Sequence, residues 1–301
     1  MDAVTTRDLT KVYNGKTKIS ALNGLNLTIH RGELFTLLGR NGAGKTTFLR
    51  IISTQLMPTG GYAEVLGFNV VTEPDSIRKI ISIIPQDVAT NQTFTPFDYC
   101  YYFAQLRGKS RRAAVDDSEE ALKVVGLWEL RDRPCFTLSG GEKRRTLIAS
   151  SLTSDAEVMM LDEPTSGLDA FARRKVWAVL RDFVDGGKTI ILTTHMMEEA
   201  EVLSDRLAIV DGGTVRSEGT LEALKAQVDE KYRVILDGDL SSLSQNWNRY
   251  VKVGGKHFTY FKDENNAVEL VREALKKSVK AEISPITLED IFVKTVGDGE
   301  E

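Results

Sequence analysis

The chain has 301 residues, 42% of them hydrophobic, and a formal net charge of −4. That length allows one large domain, alone or with a small one, and the acidic balance gives no global field for nucleic acid. Two cysteines, Cys100 and Cys135, make no disulfide framework, and no apolar run approaches the ~18 residues that suggest a membrane span. The opening Met-Asp-Ala-Val-Thr-Thr-Arg-Asp lacks the apolar core of a secretory signal. A reduced cytoplasmic compartment is therefore expected, and any membrane role falls to a partner.

Residues 4–12 and 19–29 alternate apolar and polar, which predicts two or three antiparallel strands, with Tyr13 on the turn beside Asn14-Gly15. Leu34 to Leu38 is a short apolar run and reads as a buried strand. Gly39 to Thr47 follows, reading Gly-Arg-Asn-Gly-Ala-Gly-Lys-Thr-Thr, and fits G-x-x-x-x-G-K-[ST] on Gly39, Gly44, Lys45 and Thr46. Glycines at Gly39, Gly42 and Gly44 let the backbone around Asn41 and Ala43 turn its N–H groups inward on phosphate oxygens. Lys45 is placed to reach the β- and γ-phosphates, and the Thr46 hydroxyl to ligate Mg²⁺. Thr47 to Ile52 reads as the next helix, its positive end on the phosphates.

Pro58 to Gly61 marks a turn before a strand at 62–66, and Ile80 to Gln86 is a further buried strand ending on glutamine. Residues 91 to about 155 read as helical, with Thr95 as N-cap, Pro96 at N1 and Asp98 at N3 of the first helix. Charged helices cover 111–126, and Leu138-Ser139-Gly140-Gly141-Glu142 opens another at 143–153. The strand Glu157 to Leu161 runs into Asp162-Glu163, a helix spans about 170–183, and the strand Lys188 to Thr194 precedes His195. A helix at 197–203 and a strand at 206–210 complete an alternation that means α/β with a mainly parallel sheet. The tail from 231 reads as a small α+β unit. It has a strand at 232–236, a helix near Leu243, and a hairpin around Gly254-Gly255. A helix at 266–278 carries Val268, Val271 and Leu275 on one face, and a last strand covers 279–283, giving βαββαβ.

Taken together these motifs resemble the nucleotide-binding subunit of an ABC transporter over residues 1 to about 225. The resemblance implies a P-loop ABC-type fold: a mainly parallel core sheet, an antiparallel β subdomain, and an α-helical subdomain at about 91–155. The expected domains are 1–228 for ATP binding and 229–301 for a small α+β accessory unit.

Val158 to Glu163 is similar to the Walker B strand. The likeness implies that Asp162 supports Mg²⁺ and that Glu163 polarises the attacking water. Leu138 to Glu142 is similar to the ABC signature, although the family more often has glutamine at the position of Glu142. Ser139, Gly140 and Gly141 would then contact the γ-phosphate held by another subunit. Ser139 and Glu142 also make a capping box, and both readings can hold. Gln86 matches the Q-loop glutamine, a further Mg²⁺ contact, and His195 the switch histidine on the γ-phosphate. Ser166-Gly167-Leu168-Asp169 matches the D-loop, and Tyr13 the aromatic that stacks on adenine. Each of these alone also reads as a strand end, a cap or a turn; their order along the chain carries the reading.

The closing Pro-Ile-Thr-Leu-Glu-Asp-Ile-Phe at 285–292 resembles an element of ATPases paired with ABC-2 type membrane subunits. The resemblance thus implies an ATP-hydrolysing subunit of an exporter, using ATP and Mg²⁺. It would work as a homodimer or heterodimer on the inner face of the cell membrane, attached to a separate polytopic subunit. Six aromatics between Phe94 and Phe103 exceed what one buried helix face needs. Phe94, Phe97 and Tyr101 are expected inside, and Tyr99, Tyr102 and Phe103 are expected at the partner.

Overall fold

A computed structural model of the chain describes residues 1–15, 17–86, 91–240, 243 and 249–297. Its contacts separate two compact units, Met1–Glu218 and Gly219–Glu301.

The first unit opens with β1 (Asp2–Asn14) and β2 (Lys18–His30), a long antiparallel hairpin. Tyr13 is not on the turn but is the penultimate residue of β1, opposite Ile19. β3 (Leu34–Leu38) leads through the glycine loop into α1 (Lys45–Ile52). β4 (Gly60–Val65) and β5 (Phe68–Asn69) extend the first sheet in the order β2-β1-β4-β5. A short helix, α2 (Pro74–Ile80), precedes β6 (Ile81–Ile84). Then come α3 (Pro96–Leu106), α4 (Arg111–Val124) and α5 (Gly140–Leu152), with no strand between Asn91 and Asp155. β7 (Val158–Asp162), α6 (Ala170–Asp185), β8 (Thr189–Thr194), α7 (Met197–Leu203), β9 (Arg206–Asp211) and β10 (Thr214–Gly219) follow. The second sheet has the order β10-β9-β3-β8-β7-β6, and β6, β7, β8, β3 and β9 run parallel.

Why the parallel strands are apolar along their whole length is visible in β7. Val158 and Met160 face one core with Phe35, Phe48, Ile51 and Ile191. Met159 and Leu161 face another with Ile148, Val176, Leu180 and Leu192. Both faces of the strand are dry, so alternation disappears.

In α3, Thr95 and Asp98 form the expected capping box. The buried stripe is Pro96, Cys100 and Ala104 rather than Phe94, Phe97 and Tyr101. The small residues let α3 approach its neighbours closely, and the aromatics ring it and stack on one another. Phe94 lies 5.6 Å from Tyr99 and 5.5 Å from Tyr102. Tyr99 and Phe103 are half-buried, and only Tyr102 of the three expected outward is exposed.

The second unit has α8 (Leu221–Gln227), β11 (Tyr232–Asp237), β12 (Tyr250–Val253), β13 (Lys256–Phe261), α9 (Glu264–Lys276), β14 (Lys280–Pro285) and α10 (Leu288–Val296). Its sheet is antiparallel in the order β12-β13-β11-β14. The helix expected near Leu243 lies outside the described residues. The buried face of α9 is Ala267, Leu270 and Ala274, while Leu275, expected inside, is 60% exposed. Two small alanines seat the helix close on β11, and the larger side chain is turned out. The Thr287-to-Phe292 element starts α10: Thr287 and Asp290 form a capping box, and Leu288, Ile291 and Phe292 are buried.

Candidate active site

β3 ends at Leu38, and the chain must reverse into α1 within six residues. A Cβ on Gly39 would lie 2.4 Å from the Val210 carbonyl oxygen of β9. Gly44 holds φ at +102°, and a Cβ there would lie 2.4 Å from the Ala21 carbonyl oxygen of β2. Only glycine fits either position without moving backbone. The loop is thereby wedged between the two sheets: Gly213 N–H donates to Ala43 O at 3.2 Å, and Asn23 N–H to Gly213 O at 3.0 Å. α1 begins with no side-chain cap at Gly44, which leaves its first-turn N–H groups for a ligand.

Lys45 is buried, and its Nζ donates to Gly39 O at 2.7 Å and Arg40 O at 3.1 Å. It stands 4.0 Å from Glu163 Oε1. Burial pulls its pKa below the usual lysine value, against the opposing pull of Glu163 and Asp162. Asp162 closes β7, and one of its carboxylate oxygens accepts a hydrogen bond from the Thr193 hydroxyl of β8.

Glu163, the next residue, has φ of +47°, a left-handed conformation rare outside glycine. Its N–H donates to Thr193 O at 3.0 Å. Gln86 Nε2 donates to Glu163 Oε2 at 3.1 Å, and His195 Nδ1 lies 3.0 Å from Glu163 Oε1. Three expected residues, Lys45 at the start of α1, Gln86 after β6 and His195 after β8, thus meet around the buried Glu163 carboxylate after β7.

The cleft beside them encloses about 480 Å³. Its walls include Thr46 and Thr47 of α1, the loop residues Asn41, Gly42 and Ala43, and Tyr13 with Ile19 from the first hairpin. Tyr13 Oη is 3.3 Å from Thr47 Oγ1, which orients the ring over the mouth of the cleft.

The remaining expected residues are not in this cleft. Ser139 and Gly140 are exposed at the start of α5, where Ser139 is N-cap and exchanges hydrogen bonds with Glu142. Gly141 packs toward Ala172. Asp169 caps α6, accepting from the N–H groups of Phe171 and Ala172 at 2.9 Å. Ser139, Gly141 and Asp169 therefore have a structural role on this chain, and Ser139, Gly140 and Asp169 are exposed.

As donors for a cation, Thr46, Gln86 and Asp162 offer a hydroxyl, an amide oxygen and a carboxylate, the hard oxygens that suit Mg²⁺. Among the described residues no group of three or more His, Cys, Asp or Glu could hold a metal by itself. This donor set fits a cation that arrives with phosphate oxygens and takes part of its shell from them.

Two buried groups escaped sequence reading. Arg144 of α5 is 8% exposed and threads its guanidinium among backbone carbonyls at the ends of β6 and β7. Glu199 of α7 accepts from Thr165 Oγ1 at 2.6 Å and Trp177 Nε1 at 3.0 Å, tying the segment after His195 to Thr165 and to α6. Nothing in the run Lys143-Arg144-Arg145 singles out Arg144; the structure alone shows that it is turned inward with Thr146, Leu147, Ile148 and Ala149.

Known proteins carry the same design. The profile of the ABC transporter family matches residues 22–166. The daunorubicin/doxorubicin resistance ATP-binding protein DrrA of Streptomyces peucetius is 40% identical over 226 residues, 75% of this chain and 68% of that protein. The doxorubicin resistance ATP-binding protein DrrA of Mycobacterium tuberculosis is 38% identical over 241 residues, 80% of this chain and 72% of that protein. Among solved structures, the ATP-binding cassette MJ0796, a dimer in a post-hydrolysis state with ADP and Pi, superposes with a TM-score of 0.67 at 27% identity. It covers 72% of this chain and 98% of that one. With the phosphate loop, the Asp162-Glu163 strand end and relatives matched across most of their length, this chain belongs to the ATP-binding, ATP-hydrolysing proteins of ABC transporters.

Proposed function

We propose that this chain drives an exporter of amphiphilic molecules, coupling ATP-driven closure of two cassettes to a separate membrane subunit. The observation that carries the hydrolytic part is the convergence of Lys45, Gln86 and His195 on Glu163 beside the glycine loop. Lys45 binds the β- and γ-phosphates. Tyr13 stacks on the base, with Ile19 on the opposite strand beside it. Glu163 takes the proton of the attacking water, and His195 and Gln86 hold its carboxylate toward the γ-phosphate. Thr46, Gln86 and Asp162 would hold Mg²⁺, which would supply positive charge against the phosphate oxygens. Ser139, Gly140 and Gly141, facing outward, complete the site of a second copy or a paralogue, and Asp169 lies at that contact.

The export direction draws support from the relatives named for drug resistance and from the Pro285-to-Phe292 element. The latter also points to an ABC-2 type partner. The partner would seat in a cleft of about 610 Å³ between Ser53–Gln55, Arg78, Ile83, Phe103 and Arg107, beside the exposed Tyr102 and Leu106 of α3. That attachment places the subunit on the inner face of the membrane; no described helix is long and apolar enough to cross one. The unit after Gly219 contains none of the ATP motifs and tunes the cycle rather than performing it.

The test is Glu163→Gln in Mg-ATP. Turnover should fall ~10²–10⁴-fold, the contribution of a general base, while ATP still binds. Sedimentation should then show an ATP-dependent dimer that no longer resets. A Glu163→Gln variant with wild-type turnover would remove the assignment of the base.

A further inference from the structure

We infer that Arg144 is a positioning residue for hydrolysis, holding Gln86 and Glu163 in register from behind the site. This rests on the reading of Glu163 as the base. The Arg144 side chain enters the gap between the ends of β6 and β7. Its Nε donates to Pro164 O at 2.8 Å. One terminal nitrogen donates to Pro85 O at 3.0 Å and Gln86 O at 3.4 Å. The other donates to Asp162 O at 2.9 Å and Glu163 O at 3.2 Å. The backbones of Gln86 and Glu163 are thus clasped by one rigid fork, while their side chains meet on the cleft side at 3.1 Å.

Three features make this more than packing. The planar guanidinium presents five N–H donors in fixed directions, and a lysine ammonium has no such fork. Glu163 sits in a strained left-handed conformation, which persists only where surrounding contacts over-determine it. Arg144 supplies two such contacts, at the Glu163 carbonyl and the one before it. Finally, Arg144 lies on α5, five residues after Ser139. The helix whose exposed start would meet the second subunit's nucleotide is thereby fastened to the base of its own site. A shift of α5 on dimer closure is transmitted to Glu163 through a single side chain.

The neighbouring Arg145 supplies the control. It is also partly buried on α5, but its guanidinium reaches Val125 O at 2.7 Å and Gly126 O at 3.4 Å, within the helical region.

The experiment compares Arg144→Lys, Arg145→Lys, Glu163→Gln and the double variant Arg144→Lys/Glu163→Gln. For each, kcat, KM, ATP affinity and Mg-ATP-dependent dimerisation are measured. Misplacing a catalytic group by about 1 Å can cost on the order of 10²-fold, and a loss of this order is expected in kcat of Arg144→Lys. Its ATP affinity should be unchanged and its dimer retained. Because the arginine acts through Glu163, adding Arg144→Lys to Glu163→Gln should cost little further turnover. Should Arg144→Lys fail to fold, Arg144→Gln, which keeps two N–H donors, takes its place. Losses that multiply in the double variant, or an equal kcat loss in Arg145→Lys, would overturn the inference. Wild-type turnover in Glu163→Gln alone would instead overturn the reading of the base on which it rests.

Discussion

Replacing Gly44 by alanine tests how the glycine loop is built, apart from what it binds. Two costs add. An alanine held at φ +102° carries the strain of a sparsely populated backbone region, about 1–3 kcal/mol. Its Cβ would also stand 2.4 Å from the Ala21 carbonyl oxygen and 2.9 Å from Leu22 Cδ2. The first obstacle is strand backbone and cannot swing away, so overpacking costs a further ~1–3 kcal/mol. The sum, about 2–6 kcal/mol, corresponds at ~2–4 °C per kcal/mol for a unit of this size to a midpoint lowered by roughly 5–20 °C. Gly42→Ala is the comparison. It has φ of +84° but nothing within 4 Å of the added Cβ, so strain alone remains. Its loss should be about 1–2 kcal/mol, a shift of a few degrees. Thermal melts of the two variants and the wild type, by circular dichroism in nucleotide-free buffer, decide the matter. If Gly44→Ala melts no lower than Gly42→Ala, the wedge against β2 is not what demands glycine there.

Lys45→Ala removes a cation that would make two charge-assisted hydrogen bonds to phosphate, ~1.5–3 kcal/mol each, so ATP should bind about 10²–10⁴-fold more weakly by fluorescence titration. Wild-type affinity would remove the phosphate-loop assignment. Tyr102→Glu with Leu106→Glu places two charges on exposed positions of α3, 48% and 85% accessible. ATP binding should survive while co-purification with the membrane partner is lost; co-purification at the wild-type level would clear α3 of that role. In the second unit, burial and then the adjacent Asp290 push the Tyr260 phenol from 10.0 up to about 12. A pKa raised by folding contributes stability that is complete below pH 10 and disappears as the pH rises through about 12. Tyr260→Phe should therefore show a shallower loss of stability than wild type across that alkaline window, and an unchanged slope would contradict it.

Much of the parallel core was legible because its strands are continuous apolar runs that end on the residues that matter. Leu38, Asp162 and Thr194 all lie at strand ends, and the next few residues bear the site. α2 was not legible, since seven residues with Ile77 as the one buried side chain give no helical period to find. α3 misled for a different reason. Aromatic size suggested which face is inside, but close packing selected Pro96, Cys100 and Ala104, the residues small enough to sit between helices. The same rule turned Leu275 outward and seated Ala267 and Ala274 in α9. Arg144 was opaque because its partners are backbone carbonyls, which leave no mark in a sequence. A cation paired with a carboxylate can be sought by spacing; one that holds bare peptide groups cannot.

The loop between Gly39 and Gly44 rests on both sheets at once, and this has a consequence for how such a chain can be altered. Tyr13 and Ile19, which face the mouth of the cleft, belong to the antiparallel hairpin, whereas Asp162 and Glu163 end a strand of the parallel sheet. Asn23 and Gly213 join these parts by a backbone hydrogen bond, and the Asn23 side-chain amide adds a second, donating to Gly212 O at 2.6 Å. If Tyr13 stacks on the base and Glu163 activates the water, as proposed, base preference and cleavage chemistry are separate modules that share a joint. A graft of the β1–β2 hairpin from a relative, keeping the contacts at Ala21 and Asn23, would exchange the nucleobase pocket and leave the hydrolytic half as it is. Drift in one module need not be answered in the other, so long as the joint keeps its small residues.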